Sequence, residues 1–401
     1  MCAERDKRVA DETRARPDGS GGLGSPRVEI SLDALGHNLG QVRAQLSSET
    51  GIMAVVKDSA YGCGALPVAR HLRTRGVSWF VVARVCEARA LRQGGIDEPI
   101  LVLGDTEPAD LRWAADNNIT VSLNDIATLA SWQATPHDAS FHCNIDTGMG
   151  RMGLAPDQVP QLAAVLGKTQ LRMTGLYTHF ACADESGSGS VAQQLAVFES
   201  ARRHLLGCGI EPAMVHCANS AAIAGFTMPE WATHARPGIA LYGCRPAPRT
   251  PAPFELRPVA SLVGRVVKVK RVPAGAPVSY GWHYRAERDT TIATVDLGYG
   301  HGFPRFLSSR GTMLVRGEAL PIAGRVTMDF TMLDVGPESA VRPGDEAVAI
   351  GTQGGRTITP DDVAVIGDTI GYEVLCNLSA RIPRVYRYAG KVVEIVDQRC
   401  W

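Results

Sequence analysis

Residues 52–62 read Ile52-Met53-Ala54-Val55-Val56-Lys57-Asp58-Ser59-Ala60-Tyr61-Gly62. An unbroken apolar run rich in β-branched residues ends on an amine, and small, turn-favouring residues follow at once. A short apolar run without polar alternation is the pattern of a strand buried on both faces, which parallel sheets require. Past the loop, residues 65–75 carry apolar side chains at three- and four-residue spacing, so a helix follows the strand.

The same unit recurs outward from this stretch. After a first short strand near 28–32 and a helix over 35–46, strand candidates lie at 52–56, 78–83, 100–103, 119–123, 141–145, 172–178, 214–217 and 235–242. Helical patterns fill most of the gaps, at 65–75, 85–93, 125–132, 159–166 and 191–206. Eight buried strands alternating with helices predict an α/β fold built on a (β/α)8 TIM barrel. A doubly wound open sheet is the competing reading, and the count favours the barrel.

The texture changes near Pro246. A Pro-rich stretch over 246–253 reads as a linker, and β-type runs then dominate at 260–272, 291–297, 313–315, 331–335, 346–350 and 392–396, with one helical pattern at 363–370. The expected organisation is a disordered tail over 1–26, a barrel over 27–250 and a mainly-β domain over 251–401. A length of 401 residues suits two or three domains at about 100–200 residues each.

Composition narrows the function class. Forty-one basic residues balance 41 acidic ones, which gives no electrostatic reason to bind nucleic acid or an acidic membrane. No apolar run approaches the ~18–20 residues needed to cross a bilayer. The ten cysteines are scattered and form no CxxC pair, so a metal site and a disulfide framework are both disfavoured. The expectation is a cytoplasmic protein acting on small molecules.

Barrel chemistry belongs at the C-terminal ends of the strands. The first such end supplies Lys57, an amine at the mouth of an apolar strand, which suits a nucleophile or Schiff-base lysine; a lysine that merely leaves for solvent is the plainer alternative. Later ends supply His179, then His216-Cys217-Ala218-Asn219-Ser220, then Arg236-Pro237-Gly238-Ile239. Ser220 offers a hydroxyl and Gly238 and Ile239 offer backbone amides, a combination suited to a phosphate. A lysine, a histidine able to stack on a ring and a phosphate cup in one barrel mouth suit pyridoxal 5'-phosphate.

These residues sit in motifs that make the sequence resemble the alanine racemases across nearly all of 28–396. The matching segments include Ala54-Val55-Val56-Lys57, Ala60-Tyr61-Gly62, Ile145-Asp146-Thr147-Gly148-Met149-Gly150-Arg151, Tyr177-Thr178-His179-Phe180, Ala218-Asn219-Ser220-Ala221 and Arg236-Pro237-Gly238-Ile239-Ala240-Leu241-Tyr242-Gly243. Further on come Val278-Ser279-Tyr280-Gly281, Leu297-Gly298-Tyr299-Gly300, Gly324-Arg325-Val326-Thr327-Met328-Asp329 and Gly371-Tyr372-Glu373-Val374. The resemblance implies that Lys57 holds pyridoxal phosphate covalently and that His179 stacks on its ring. It implies that Tyr61, Ser220, Gly238, Ile239 and Tyr372 contact the cofactor's phosphate, that Asn219 also binds the cofactor, and that Arg236 faces the ring nitrogen. It assigns Lys57 and Tyr280 as the two acid/base groups on opposite faces of the substrate Cα. It places Arg151, Tyr299, Met328 and Asp329 around the substrate, and implies a homodimer in which Tyr280 reaches the partner's site. A related enzyme carrying out another reaction on the same cofactor, and a non-catalytic carrier of it, are the alternatives; the retained Arg236 and Tyr280 weigh against the first, and the retained β domain with its tyrosine against the second.

Three departures from the family pattern stand out. Asn144 occupies the position of a lysine that is commonly carbamylated and orients the arginine here numbered Arg151. The loop after Lys57 reads Asp58-Ser59-Ala60-Tyr61-Gly62-Cys63-Gly64 in place of the usual Ala-Asn-Ala-Tyr-Gly-His-Gly. Gly300-His301-Gly302-Phe303 follows the second tyrosine, and Phe330 follows Asp329. The first and third bear on substrate range, where serine is the expected addition to alanine, and the second alters the loop of the cofactor lysine by setting an acid beside Lys57 in sequence; the acid/base pair is retained.

Overall fold

The structure, a computed structural model, describes residues 24–134, 139–169, 171–185, 189–246 and 253–397. The expected tail lies outside them except for 24–26, as does most of the expected linker. The chain divides into two compact units. One comprises Ala34–Val259 and Thr359–Asn377; the described residues of the other fall within Met1–Asp33, Ala260–Ile358 and Leu378–Trp401.

After β1 (Arg27–Ser31) come β2 (Gly51–Val55), β3 (Trp79–Val82), β4 (Ile100–Val102), β5 (Ile119–Leu123), β6 (Ser140–Asn144), β7 (Arg172–Tyr177), β8 (Met214–His216) and β9 (His234–Ala235). Strands β2 to β9 form a closed parallel barrel, with β9 returning to β2 through Gly51↔His234 and Ile52↔Ala235. The open-sheet alternative is therefore excluded. Every residue of β5 is buried, as the unbroken apolar runs require. The intervening helices present one apolar stripe inward; in Val85–Gln93 the buried residues are Val85, Ala88 and Leu91.

The last barrel strand departs from expectation. In place of a strand over 235–242, only His234–Ala235 pairs, and Ile239–Tyr242 forms a 3-10 turn. Pro237 has no N–H to give a ladder, and the amides of Gly238 and Ala240 turn instead to Ser220 Oγ at 2.9 and 3.3 Å. The predicted strand end is thus converted into part of the site.

The second unit is a sheet around the long strand β10 (Ala260–Val272), which pairs with β1, Thr290–Val295 and Glu346–Gln353. Val263, Leu314 and Val348 form one apolar cluster in it, and Val278, Ile292 and Ala323 another. β1 joins this sheet, antiparallel to β10 and parallel to Arg384–Tyr388. Its alternation explains why: Val28 and Ile30 are fully buried, while Arg27 pairs with Glu29 and Glu346, and Glu29 with Arg387. A strand with one polar edge fits a half-covered sheet, not a barrel wall. Conversely, the helix expected at 363–370 is observed as Pro360–Gly367 followed by Gly371–Cys376, and both belong to the barrel unit. Thr359 caps the first through reciprocal bonds with Asp362 at 2.8 and 3.0 Å.

Candidate active site

Lys57 stands where β2 ends, half-buried at the barrel mouth. The chain then makes a left-handed turn: Asp58, Ser59, Ala60 and Tyr61 have φ of 52°, 54°, 54° and 53°. For residues with a Cβ that conformation costs roughly 1–2 kcal/mol each, and it persists only where the surroundings over-determine it. Glu87 supplies part of that constraint. Its carboxylate accepts the Asp58 N–H at 2.5 Å and the Ala83 and Arg84 N–H groups at 2.8 and 3.0 Å, tying the turn after Lys57 to the start of the neighbouring helix. Glu87 was not singled out in the sequence, although a glutamate in the first helical turn is a capping signal.

The turn brings Tyr61 beside Gly238 and Tyr242. Its ring lies 4.8 Å from that of Tyr242 and 6.1 Å from that of Tyr372, centroid to centroid. Burial pushes the pKa of the Tyr61 and Tyr372 phenols well above the ordinary range, so both remain protonated. Asn219 caps the short helix Ser220–Gly225 by accepting the Ala222 N–H at 3.0 Å, which fixes the Ser220 hydroxyl against Gly238 and Ala240. A Cβ on Gly238 would fall 2.5 Å from the Tyr61 hydroxyl, so only glycine leaves this cradle open. Tyr61, Asn219, Ser220, Gly238, Ile239 and Tyr372 all lie in the barrel unit.

Arg236 is 2% exposed and fixed by a dense set of acceptors. Nη1 donates to His216 Nδ1 at 2.5 Å and His216 O at 2.9 Å; Nη2 donates to Thr178 O at 2.7 Å and Cys217 O at 3.3 Å, with His179 Nδ1 at 3.5 Å. Burial, then the charges of Arg236, Arg151 and Lys57, hold His179 down at about 3, so its imidazole is neutral at physiological pH. The His179 loop is itself clamped by Gln194, whose amide donates to His179 O at 3.1 Å and Thr147 Oγ1 at 3.0 Å and accepts from Ala181 N–H at 3.0 Å. Nothing in the sequence marks Gln194, a polar residue on the buried side of a long helix. The sequence marks His216 only as part of a strand-end segment; its direct bond to Arg236 emerges from the fold.

A cavity of about 620 Å³ opens between Lys57, His179, Tyr177, Asn144, Arg151 and Asp105. Asp146 shapes the loop to Arg151 by accepting the N–H groups of Gly148, Met149 and Gly150 at 3.0–3.1 Å. Asn144 does not hold Arg151. Its amide donates to Asn124 Oδ1 at 2.9 Å, and Asn124 donates in turn to Asp105 Oδ1 at 3.1 Å. Arg151 is exposed and has no hydrogen-bond partner among the described residues.

The remaining predicted site residues lie in the β-rich unit, gathered by hydrogen bonds to the backbone carbonyls of one segment. Ser279 Oγ donates to Arg325 O at 2.8 Å, Tyr299 N–H to Thr327 O at 2.9 Å and Gly300 N–H to Met328 O at 2.9 Å. These place Tyr280, Tyr299, Met328 and Asp329 on converging loops. Tyr280 is 72% exposed and Met328 52%, beside exposed Trp282, Tyr299 and Phe330. His301 Nδ1 accepts the Gly298 N–H at 3.1 Å, which closes the turn that carries Tyr299.

Two family models match the chain: alanine racemase, N-terminal domain, over residues 30–246, and alanine racemase, C-terminal domain, over 259–386. Alanine racemase of Desulforamulus reducens is 39% identical over 369 residues, covering 90% of this chain and 98% of that one. Alanine racemase 2 of Bacillus subtilis is 39% identical over 380 residues, covering 92% and 96%. The crystal structure of alanine racemase from Bacillus anthracis with bound L-Ala-P superposes with a TM-score of 0.86 at 35% identity, covering 94% of this chain and 99% of that one. That from Streptomyces coelicolor superposes at 0.84 with 38% identity, covering 90% and 97%.

Proposed function

The chain belongs to the alanine racemase family of isomerases, and from that premise we propose that it interconverts L- and D-alanine with pyridoxal 5'-phosphate by a two-base mechanism. The observation that carries the cofactor reading is the pairing of Arg236 with the cup. The Nη atoms of buried Arg236 are taken up by His216, Thr178 and Cys217, which leaves Nε without an acceptor among the described residues, while at Gly238 the missing Cβ lets the Tyr61 hydroxyl approach the backbone beside the Ser220 hydroxyl. A ring nitrogen and a phosphate fit these two places.

When bound, the cofactor supplies an aldehyde for an amine and a conjugated ring that renders the substrate's Cα proton acidic. Lys57 would hold it covalently, His179 would lie against its ring, and Tyr61, Asn219, Ser220, Gly238, Ile239 and Tyr372 would fix its phosphate side. A guanidinium does not give up a proton, so Arg236 can only donate to a nitrogen facing it, and that nitrogen stays unprotonated. This restrains electron withdrawal into the ring and disfavours reprotonation at the wrong carbon. Lys57 Nζ takes or returns the Cα proton on one face and Tyr280 Oη on the other. The exposed Tyr280, Trp282, Tyr299, Met328 and Phe330 support a homodimer in which each copy presents this face to its partner's barrel. Arg151 meets the substrate carboxylate.

Borohydride reduction of the cofactor-loaded protein should fix the cofactor on the peptide containing Lys57, with loss of the visible absorption band. Labelling on another lysine overturns the assignment.

Arg151, without a partner from Asn144, has room to accept more than one carboxylate pose. Serine should therefore be turned over at a measurable fraction of the alanine rate, and Asn144→Lys should narrow that range. Rejection of one added hydroxyl by an apolar pocket is worth on the order of 100-fold, which a panel of amino acids resolves. Strict alanine specificity, unchanged in Asn144→Lys, would show that this position does not set the range.

A further inference from the structure

Deeper in the barrel than the cofactor site lies a polar chain that the mechanism above does not use. His142 on β6 and His216 at the end of β8 are fully buried, and His142 Nδ1 lies 2.9 Å from His216 Nε2. His216 Nδ1 lies 2.5 Å from Arg236 Nη1. Space for the inner ring is made by Gly175, since a Cβ there would fall 2.4 Å from His142 Cδ2.

The donors dictate where the protons sit. Arg236 can only donate, so His216 Nδ1 is a lone pair, and the proton of neutral His216 is on Nε2. That N–H points at His142 Nδ1, which must then also be a lone pair. His142 in turn carries its proton on Nε2, and this buried atom has no hydrogen-bond partner. A proton added to the Nδ1 of either ring would face another donor. The chain thus admits one arrangement, with donation running from Arg236 to His216 to His142.

We propose that His142 is a positioning residue that holds His216 in its Nε2–H tautomer and so keeps Arg236 oriented toward the cofactor's ring nitrogen. The proposal rests on the reading that Arg236 faces that nitrogen. Without an acceptor at position 142, the His216 Nε2–H would be orphaned, and the opposite tautomer would set a donor against Arg236. Burial, then the charges of His234 and Arg236, hold His142 down at about 3, and burial with the Arg236 charge keeps His216 well below its ordinary range, so both rings remain neutral. The unsatisfied donor at the end of the chain is a cost the fold retains.

Neutron diffraction from deuterated, cofactor-loaded crystals reads the proton positions directly. Deuterium on Nε2 of both His142 and His216, with none on either Nδ1, is expected; deuterium on His216 Nδ1 overturns the proposal. In solution, His142→Leu should lower kcat roughly tenfold or more, with a smaller change in KM, the scale of a buried donor left without its acceptor. It should also alter the pH dependence of the cofactor's absorption band. His142→Gln, which retains an acceptor oxygen, should restore most of both. A folded His142→Leu with wild-type kcat and spectrum overturns the proposal, and if that variant does not fold, the neutron map and His142→Gln decide. Failure of the wild-type protein to racemise alanine would sink the functional reading alone, because the proton positions are read independently of turnover.

Discussion

Tyr280→Phe should leave cofactor binding intact and lower alanine racemisation by roughly two or more orders of magnitude, the ordinary scale of a lost general acid/base. The substitution removes one oxygen from a side chain that is 72% exposed, so the fold of its unit has little to lose. The defect should also be one-sided. Lys57 still serves its own face, so Cα–deuterium exchange from one enantiomer should outlast full inversion. Kinetics in deuterated solvent, with both enantiomers as starting material, check this. Wild-type rates in both directions would remove Tyr280 from the chemistry.

Lys57→Ala should have the larger effect, approaching the upper end of the ~10²–10⁴-fold range for acid/base loss, because the same amine also holds the cofactor. The more informative experiment combines the two variants. If Tyr280 serves the partner's barrel, a dimer with one Lys57→Ala and one Tyr280→Phe copy contains one site with both bases intact and one with neither. Statistical mixing of the two inactive proteins should then recover roughly a quarter of wild-type activity. No recovery, with subunit exchange shown by a tag, would mean that each chain supplies its own tyrosine.

The barrel was legible because strands such as β5 are buried on both faces and read as unbroken apolar runs between amphipathic helices. The placement of β1 was harder, although its alternation of Val28 and Ile30 with Arg27 and Glu29 already described a half-covered sheet. The segment 235–242 misled because its apolar residues serve a 3-10 turn in which Gly238 and Ala240 amides bind a side chain. Lys57, His179, Ser220 and Arg236 could be proposed from the sequence because barrel chemistry sits at strand ends. Glu87, Gln194 and His142 could not be found that way. They act on the backbone or on other side chains across the barrel, and such pairings, separated by 29, 15 and 74 residues, appear only once the chain is folded.

The central claim is that this protein inverts alanine at Cα with a proton supplied from solvent-exchangeable groups. Its most direct test incubates the purified, cofactor-loaded protein with L-alanine in deuterated water and separates the products by chirality. The expected result is D-alanine carrying deuterium at Cα, with the two enantiomers approaching equal amounts. L-alanine recovered unchanged, or converted to a product other than its enantiomer, would contradict the account.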